Sequence, residues 1–316
     1  MDWREAGVLR RVLLRALNGN QVLILLRASK SLNRSLTSLL RDISADHGVP
    51  LSTLKLNAKI LRELGLLDYD RGQRPVRLTS AGRKVVEILS HEGDPLAGHV
   101  FSLASRLGPG HLHSSLTCLQ ILKAVFSIKR DSDVVVLSKG HAAPALYSIL
   151  LERGCVSEED LRGAGEPDSR LQAHPEAGLP EVLVSTGSLG QGLSIANGVA
   201  IAARIDGLDR RVFVVLGDGE LDEGQVWEAA ATASAHGLSG VIAVVDRNGT
   251  QLSGSTEEVK PKEPLRARWA AFGWEVVETG GPVRSALEEA VRRAESSGRP
   301  AVVIVHTGGE SGAGAS

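Results

Sequence analysis

Residues 211–254 read RVFVVLGDGELDEGQVWEAAATASAHGLSGVIAVVDRNGTQLSG. Two apolar runs, Arg211–Leu216 and Val241–Val245, flank a helical stretch over Gln225–Ala235. Neither run alternates polar with apolar residues, which is the pattern of strands covered on both faces. Strand, helix and strand in succession predict a βαβ unit with parallel strands, and such units bind ligands beyond the carboxyl ends of their strands. The first run ends in Gly217-Asp218-Gly219 and the second leads to Asn248. One carboxylate and one amide oxygen thus arrive at the same edge of a sheet. That pair suits a hard cation: magnesium takes oxygen ligands and is usually held by one or two carboxylates plus substrate phosphates. Gly217 and Gly219 leave room for backbone to approach a ligand, and a backbone carbonyl near Thr250 would complete the protein's share. The competing reading is of two ordinary turns between strands.

The same rhythm extends outward. VVVL (Val134–Leu137), EVVET (Glu275–Thr279) and AVVIV (Ala301–Val305) read as further covered strands, separated by helical stretches such as Leu193–Ile205 and Val283–Ser297. The fold class expected for residues 95–307 is therefore α/β, a doubly wound parallel sheet.

Composition bounds the rest. A chain of 316 residues with 42% hydrophobic content is long enough for two domains. Two cysteines, Cys118 and Cys155, are too few for a disulfide framework, so a reducing, cytoplasmic setting is expected. No apolar run approaches the roughly 18 residues of a membrane span, and no signal-peptide pattern opens the sequence. No membrane partner is expected. The formal net charge of −1 hides a split, because residues 1–90 carry sixteen Lys and Arg against eight Asp and Glu. The charge split implies a basic first module (1–90) and an acidic second one (95–307), joined through the polar stretch Ser90–His99 and ended by a Gly/Ser/Ala tail, 308–316, that reads as flexible.

In the first module Leu36, Leu39, Leu40 and Ile43 recur at helical spacing and Gly48 stops that helix. Ser52 or Thr53 is placed to cap a second helix whose apolar face is Leu54, Ile60, Leu61 and Leu64. Asp68–Leu78 reads as two short strands around a basic tip, Arg71-Gly72-Gln73-Arg74. Helix, tight turn, helix and basic hairpin resemble a mainly α winged helix-turn-helix domain over about residues 20–90. The resemblance implies that Ser52, Thr53, Lys55 and Lys59 would face a major groove, with Arg71, Arg74 and Arg77 on phosphates. The alternative use of such a module is dimerisation or partner docking.

In the second module GDGELDEGQVWEAA…VVDRNGTQLSG resembles the thiamine-diphosphate signature, and specifically that of the transketolase family. LGPGHLHSSLTCLQIL (Leu107–Leu122), LSKGHAAPALYSIL (Leu137–Leu150), AHPE (Ala173–Glu176), STGSLGQGLSIANGVAIAA (Ser185–Ala203) and PLRARWAAFGWEVVE (Pro264–Glu278) resemble further blocks of that family in the same order. A 2-oxo-acid dehydrogenase α subunit would share GDG…N but not SKGHA with HPE.

The resemblance also implies roles for single residues. Asp218, Asn248 and the Thr250 carbonyl would hold magnesium on the diphosphate of thiamine diphosphate, next to Gly217 and Gly219. Gly187 and Leu189 would lie against the cofactor. Glu223 would join a carboxylate network where two subunits meet. His111, His141 and His174 would face the reacting carbon and the sugar hydroxyls, since imidazoles donate and accept protons near neutral pH. Against the family pattern, Leu112-His113-Ser114 stands where small residues are usual, Gln120 replaces a Glu, and VVIVHTGGESGAGAS replaces a Lys-rich ending. The glutamate that protonates the aminopyrimidine lies in the family's next domain. The expectation is thus the first subunit of a split transketolase, active with a separate pyrimidine-binding subunit in a hetero-oligomer built on a dimer, and moving two-carbon ketol units between sugar phosphates. A DNA-binding regulator with a transketolase-derived sensor domain is the alternative, and a deoxyxylulose-phosphate synthase-like transferase a further one.

Overall fold

The computed structural model describes residues 17–30, 34–69, 75–90, 95–108, 111–251 and 254–307. The chain divides into two compact units, Met1–His113 and Ser114–Ser316. The helix over Pro95–Leu107, expected from the sequence in the second module, falls within the first unit.

The first unit contains helices α1 (Gly19–Lys30), α2 (Leu36–His47), α3 (Leu51–Glu63), α4 (Ser80–Ser90) and α5 (Pro95–Leu107), with strands β1 (Leu67–Asp68) and β2 (Arg77–Leu78). α2 begins where the Ser35 side chain accepts the Ser38 N–H and stops at Gly48, which is left-handed at φ 63°. α3 begins differently from expectation. Pro50 occupies its N-cap without a side-chain cap bond, so Ser52 and Thr53 lie inside the first turn and cap nothing. The fixed φ of proline suits a helix entrance, and it sets the start two residues early. Leu54 and Leu61 are fully buried with Leu39, Leu40 and Ile43. Leu64, expected on the same apolar face, sits past the helix end and is 56% exposed. β1 and β2 pair antiparallel, with Leu67 opposite Leu78. The expected hairpin tip, with Arg71 and Arg74, lies outside the described residues, as do residues 308–316.

The second unit is built on five parallel strands in the order β3-β4-β5-β9-β8: β3 (Val134–Leu137), β4 (Val212–Gly217), β5 (Val241–Asp246), β8 (Glu275–Thr279) and β9 (Ala301–Val305). Their crossovers carry helices α9 (Gln191–Ile205), α10 (Gly224–Ala235), α12 (Leu265–Ala271) and α13 (Val283–Ser297). α6 (Leu112–Ile128), α7 (Ala143–Glu152), the short α8 (Glu158–Arg162) and α11 (Thr256–Val259), and a two-stranded ribbon, β6 (Thr250–Gln251) with β7 (Gly254–Ser255), complete the described elements. β4, β5 and β9 are buried along their whole length, which explains their unbroken apolar sequence. Under the sheet Trp269 packs on Trp274 and Trp227, with ring centroids 4.9 and 5.2 Å apart.

The strand registers fix both edges of the sheet. Val212 pairs with Val241 and Gly217 with Asp246, so β4 and β5 end level. At the opposite edge Asp133, whose side chain is fully buried, accepts the backbone N–H of Arg130 and of Arg211 and the guanidinium of Arg211 at 2.6 Å. Burial pushes its pKa up, but the bonds from Arg211 and Arg130 outweigh that and bring it down to about 2. This carboxylate fastens the start of β3 to the start of β4.

Candidate active site

Asp218 follows the last residue of β4 and is 1% exposed. Its Oδ2 accepts from Gly249 N at 2.8 Å, Arg247 Nη1 at 2.9 Å and, more weakly, Thr256 Oγ1 at 3.4 Å. Its Oδ1 accepts from Gly219 N at 2.9 Å. Burial raises the pKa of this carboxyl, against the pull of Arg247 and the Gly249 N–H. Asn248 stands one residue beyond Arg247, also buried, and its Oδ1 accepts both the N–H and the hydroxyl of Thr250 at 3.0 Å. β4 and β5 thus bring Asp218, Asn248 and Thr250 to one edge. Gly219 lies so close to Gln251 that a Cβ there would come within 2.9 Å of the glutamine Cβ.

Behind this edge sit two buried charges with no signature in the sequence. Lys139, just past β3, places Nζ 2.6 Å from Asp246 Oδ2 at the end of β5. The two side chains are 1% and 0% exposed. Burial works against the charged lysine, but Asp246 more than offsets this and holds its pKa above the usual value. Thr117 and Thr307 donate their hydroxyls to the two Asp246 oxygens at 2.7 and 2.5 Å. Glu220, on the turn after Asp218, accepts from Ser138 Oγ, from Gly190 N at 2.7 Å and, through its other oxygen, from Gly217 N at 3.0 Å. Burial raises its pKa as well, despite these three donors. One carboxylate therefore ties the segments around 138, 190 and 217 into a single frame.

That frame brings together three of the sequence blocks. Gly192 N donates to Ser138 Oγ at 3.1 Å. A Cβ on Gly140 would meet Gly187 N at 2.9 Å, and one on Gly187 would meet the His174 ring at 3.2 Å. Gly140-His141, His174 and Gly187 are therefore in contact, with half-buried Leu189 following on the same loop. His141 Nε2 lies 3.0 Å from Ser114 Oγ. Tyr147 OH donates to the carbonyls of Gln172 and His174 at 3.0 Å, fixing the His174 backbone while its side chain stays exposed. Glu223 is exposed at the start of α10, against Gly190. His111 belongs to the first unit, where its backbone N–H donates to Gly108 O.

Residues 126–316 match the family described as "Transketolase, thiamine diphosphate binding domain". One of the two subunits of an apulose-4-phosphate transketolase from Phocaeicola vulgatus is 37% identical over 236 residues, which is 70% of this chain and 83% of that protein. The chain belongs to the transketolase family. A 6-deoxy-6-sulfo-D-fructose transketolase subunit, SqwG, from a Clostridium species is 36% identical over 231 residues, 69% of this chain and 84% of that one. Among solved structures, a transketolase mutant from Pichia stipitis matches at TM-score 0.59 and 31% identity over 67% of this chain and 34% of its own. The chain spans about a third of that transketolase but most of the two subunits. It is an enzyme chain, with the α/β fold and the thiamine diphosphate-binding domain of transketolase.

The first-unit residues singled out in the sequence stand apart from this site chemistry. Ser52 and Lys55 are exposed on α3, and Arg77 is exposed on β2 opposite Asp68. Lys59 is exposed too, but its Nζ lies 3.6 Å from Glu63 one turn on. Glu220, Lys139 and Arg247 escape a sequence reading for a common reason: each is a charged residue whose burial depends on a partner distant in sequence. The one local signal is Asp246, an acid directly continuing a five-residue apolar strand.

Proposed function

We propose that the second unit holds the diphosphate end of thiamine diphosphate through magnesium bound by Asp218, Asn248 and the Thr250 carbonyl, and that the chain is one subunit of a split transketolase. The observation that carries the reading is the level ending of β4 and β5, which sets a buried carboxylate and a buried amide oxygen on one edge. The donor set fits the group. All three donors are hard oxygens, as magnesium requires. Among the described residues no cluster of three or more His, Cys, Asp or Glu is placed to hold a metal alone, consistent with a cation completed by phosphate oxygens. Gly187 and Leu189 would line the cofactor, with Gly217 and Gly219 giving backbone access to it.

When bound, the cofactor supplies the electron sink for breaking and making a carbon–carbon bond. His141, steadied by Ser114, and His174, steadied through its backbone by Tyr147, would bind and exchange protons with the sugar's hydroxyls. His111 is proposed for the same group and Glu223 for the contact with a neighbouring subunit. The partner is a pyrimidine-binding subunit, in a hetero-oligomer built on a dimer in the cytoplasm. The relatives named for apulose-4-phosphate and for a sulfofructose both act on sugars with an anionic terminus, so the substrates proposed here are ketose and aldose phosphates of that character. The helix–turn–helix and short antiparallel pair of the first unit support a winged-helix module that docks or dimerises. The competing reading as a DNA-binding regulator finds no support in these relatives.

Calorimetry with magnesium and thiamine diphosphate tests the site. Asp218→Ala is expected to abolish binding, and Asn248→Ala, which loses only a neutral ligand, to weaken it less. Unchanged affinity for Asp218→Ala would overturn the assignment.

A further inference from the structure

Arg247 has no role in the site as described so far, yet it is the side chain most closely engaged with Asp218. It stands between Asp246 and Asn248 at the end of β5 and is 8% exposed. Its backbone is clamped by the neighbouring strand: its N–H donates to Val305 O at 2.8 Å, and its carbonyl accepts from Thr307 N at 3.2 Å. The guanidinium then forks. Nη1 donates to Asp218 Oδ2 at 2.9 Å and to Thr256 Oγ1 at 2.7 Å, while Nη2 pairs with Glu257 and, at 3.4 Å, with Glu263.

The two oxygens of Asp218 are consequently unequal. Oδ2 takes three donors, from Gly249, Arg247 and Thr256, whereas Oδ1 takes one, from the adjacent Gly219. A carboxylate oxygen has about two lone-pair directions, so Oδ2 is saturated and Oδ1 retains capacity. A cation this close to a metal ligand would ordinarily oppose the metal. Here Glu257 and Glu263 bind the far side of the guanidinium and offset its charge.

We propose that Arg247 is a positioning residue, which holds Asp218 Oδ2 and so presents Oδ1 as the single metal-binding oxygen. The proposal rests on Asp218 being a metal ligand. A rigid fork is suited to this: arginine presents fixed, planar donors, and a lysine would supply charge without the fork.

The test is Mn²⁺ binding followed by electron paramagnetic resonance, in the presence of thiamine diphosphate, on the full chain in complex with its partner subunit. Arg247→Met keeps the bulk and removes the donors. It is expected to weaken Mn²⁺ affinity by on the order of tenfold and to change the manganese line shape, as the released carboxylate turns or chelates with both oxygens. Arg247→Lys is expected to recover part of the affinity while keeping the altered line shape. Circular dichroism of both variants should match the parent, which separates positioning from general disorder. Affinity and line shape unchanged in both variants, or tighter binding in Arg247→Met, would overturn the proposal, the latter making Arg247 a competitor of the metal. If the parent chain binds no more Mn²⁺ than Asp218→Ala does, the site assignment itself fails and takes this inference with it.

Discussion

Replacing Lys139 by methionine tests the frame behind the site. The substitution roughly conserves volume and leaves Asp246 ionised in a fully buried position, with only the Thr117 and Thr307 hydroxyls to solvate it. Removing one partner of a buried pair typically costs about 3–5 kcal/mol, because the remaining charge is uncompensated. Both side chains here are essentially inaccessible and 2.6 Å apart, so the full range applies. For a unit of roughly 200 residues this is a fall in Tm of about 6–20 °C. Asp246→Asn in the Lys139→Met background removes the stranded charge, while the amide oxygen still accepts from a threonine. The double variant should therefore be more stable than Lys139→Met alone, with a coupling of about 2 kcal/mol or more. Urea unfolding followed by tryptophan fluorescence measures this, since Trp227, Trp269 and Trp274 all lie in the second unit. If the two single losses add within about 0.5 kcal/mol, the pair is not energetically coupled and the reasoning is refuted.

Asp133 gives the chain an acid-sensitive clasp. Its folded pKa is depressed from 3.8 to about 2, so it contributes roughly 2.5 kcal/mol that is present above pH 4 and lost as pH falls toward 2. The stability difference between the parent and Asp133→Asn should shrink over that interval in urea titrations at stepped pH; a constant difference would contradict it. Gly190→Ala should destabilise by about 1–3 kcal/mol and weaken cofactor binding, because φ is +87° and the new Cβ would lie 2.8 Å from Glu223 Cβ; calorimetry and thermal melts check both. For the first unit, five phosphate contacts through Lys55, Lys59, Arg71, Arg74 and Arg77 would give a log–log salt slope of roughly −4.5. A docking module should instead bind its own upstream DNA and scrambled DNA equally and weakly in an anisotropy titration of the full chain, and a strong preference for the former would revive the regulator reading.

The sheet is legible in the sequence because its strands are buried on both faces: Val212–Leu216 and Val241–Val245 carry no polar interruption, and only a covered strand tolerates that. Asp218 and Asn248 are legible because each breaks such a run at its carboxyl end. The entrance of α3 is not, since Ser52 and Thr53 are good caps by chemistry but Pro50 has already started the helix. Glu220 is illegible for another reason. It is one of four acids from Asp218 to Glu223, and nothing local says which of them turns inward to meet Ser138 and Gly190, residues that reach it only through the crossovers of the sheet. Leu64 misleads in the opposite sense, apolar by type but carried past the last helical turn into solvent.

The buried charges at the carboxyl edge form a set rather than a scatter. Asp218, Glu220 and Asp246 are each no more than 3% exposed, and they face two buried cations, Lys139 and Arg247. Glu257 and Glu263 draw off part of the Arg247 charge toward solvent. The edge is left short of positive charge at the position where Asp218 Oδ1 and Asn248 Oδ1 stand, and burial accordingly raises the pKa of both Asp218 and Glu220. An anionic diphosphate approaching that edge by itself meets a carboxylate in a poorly solvated site, an unfavourable pairing that water cannot screen. A divalent cation reverses the sign locally, satisfying the protein's oxygens on one side and the diphosphate's on the other. On the proposed assignment the metal is therefore the element that makes this sheet edge receptive to phosphate at all, and Lys139 and Arg247 serve to keep the surrounding carboxylates ionised and in place until it arrives.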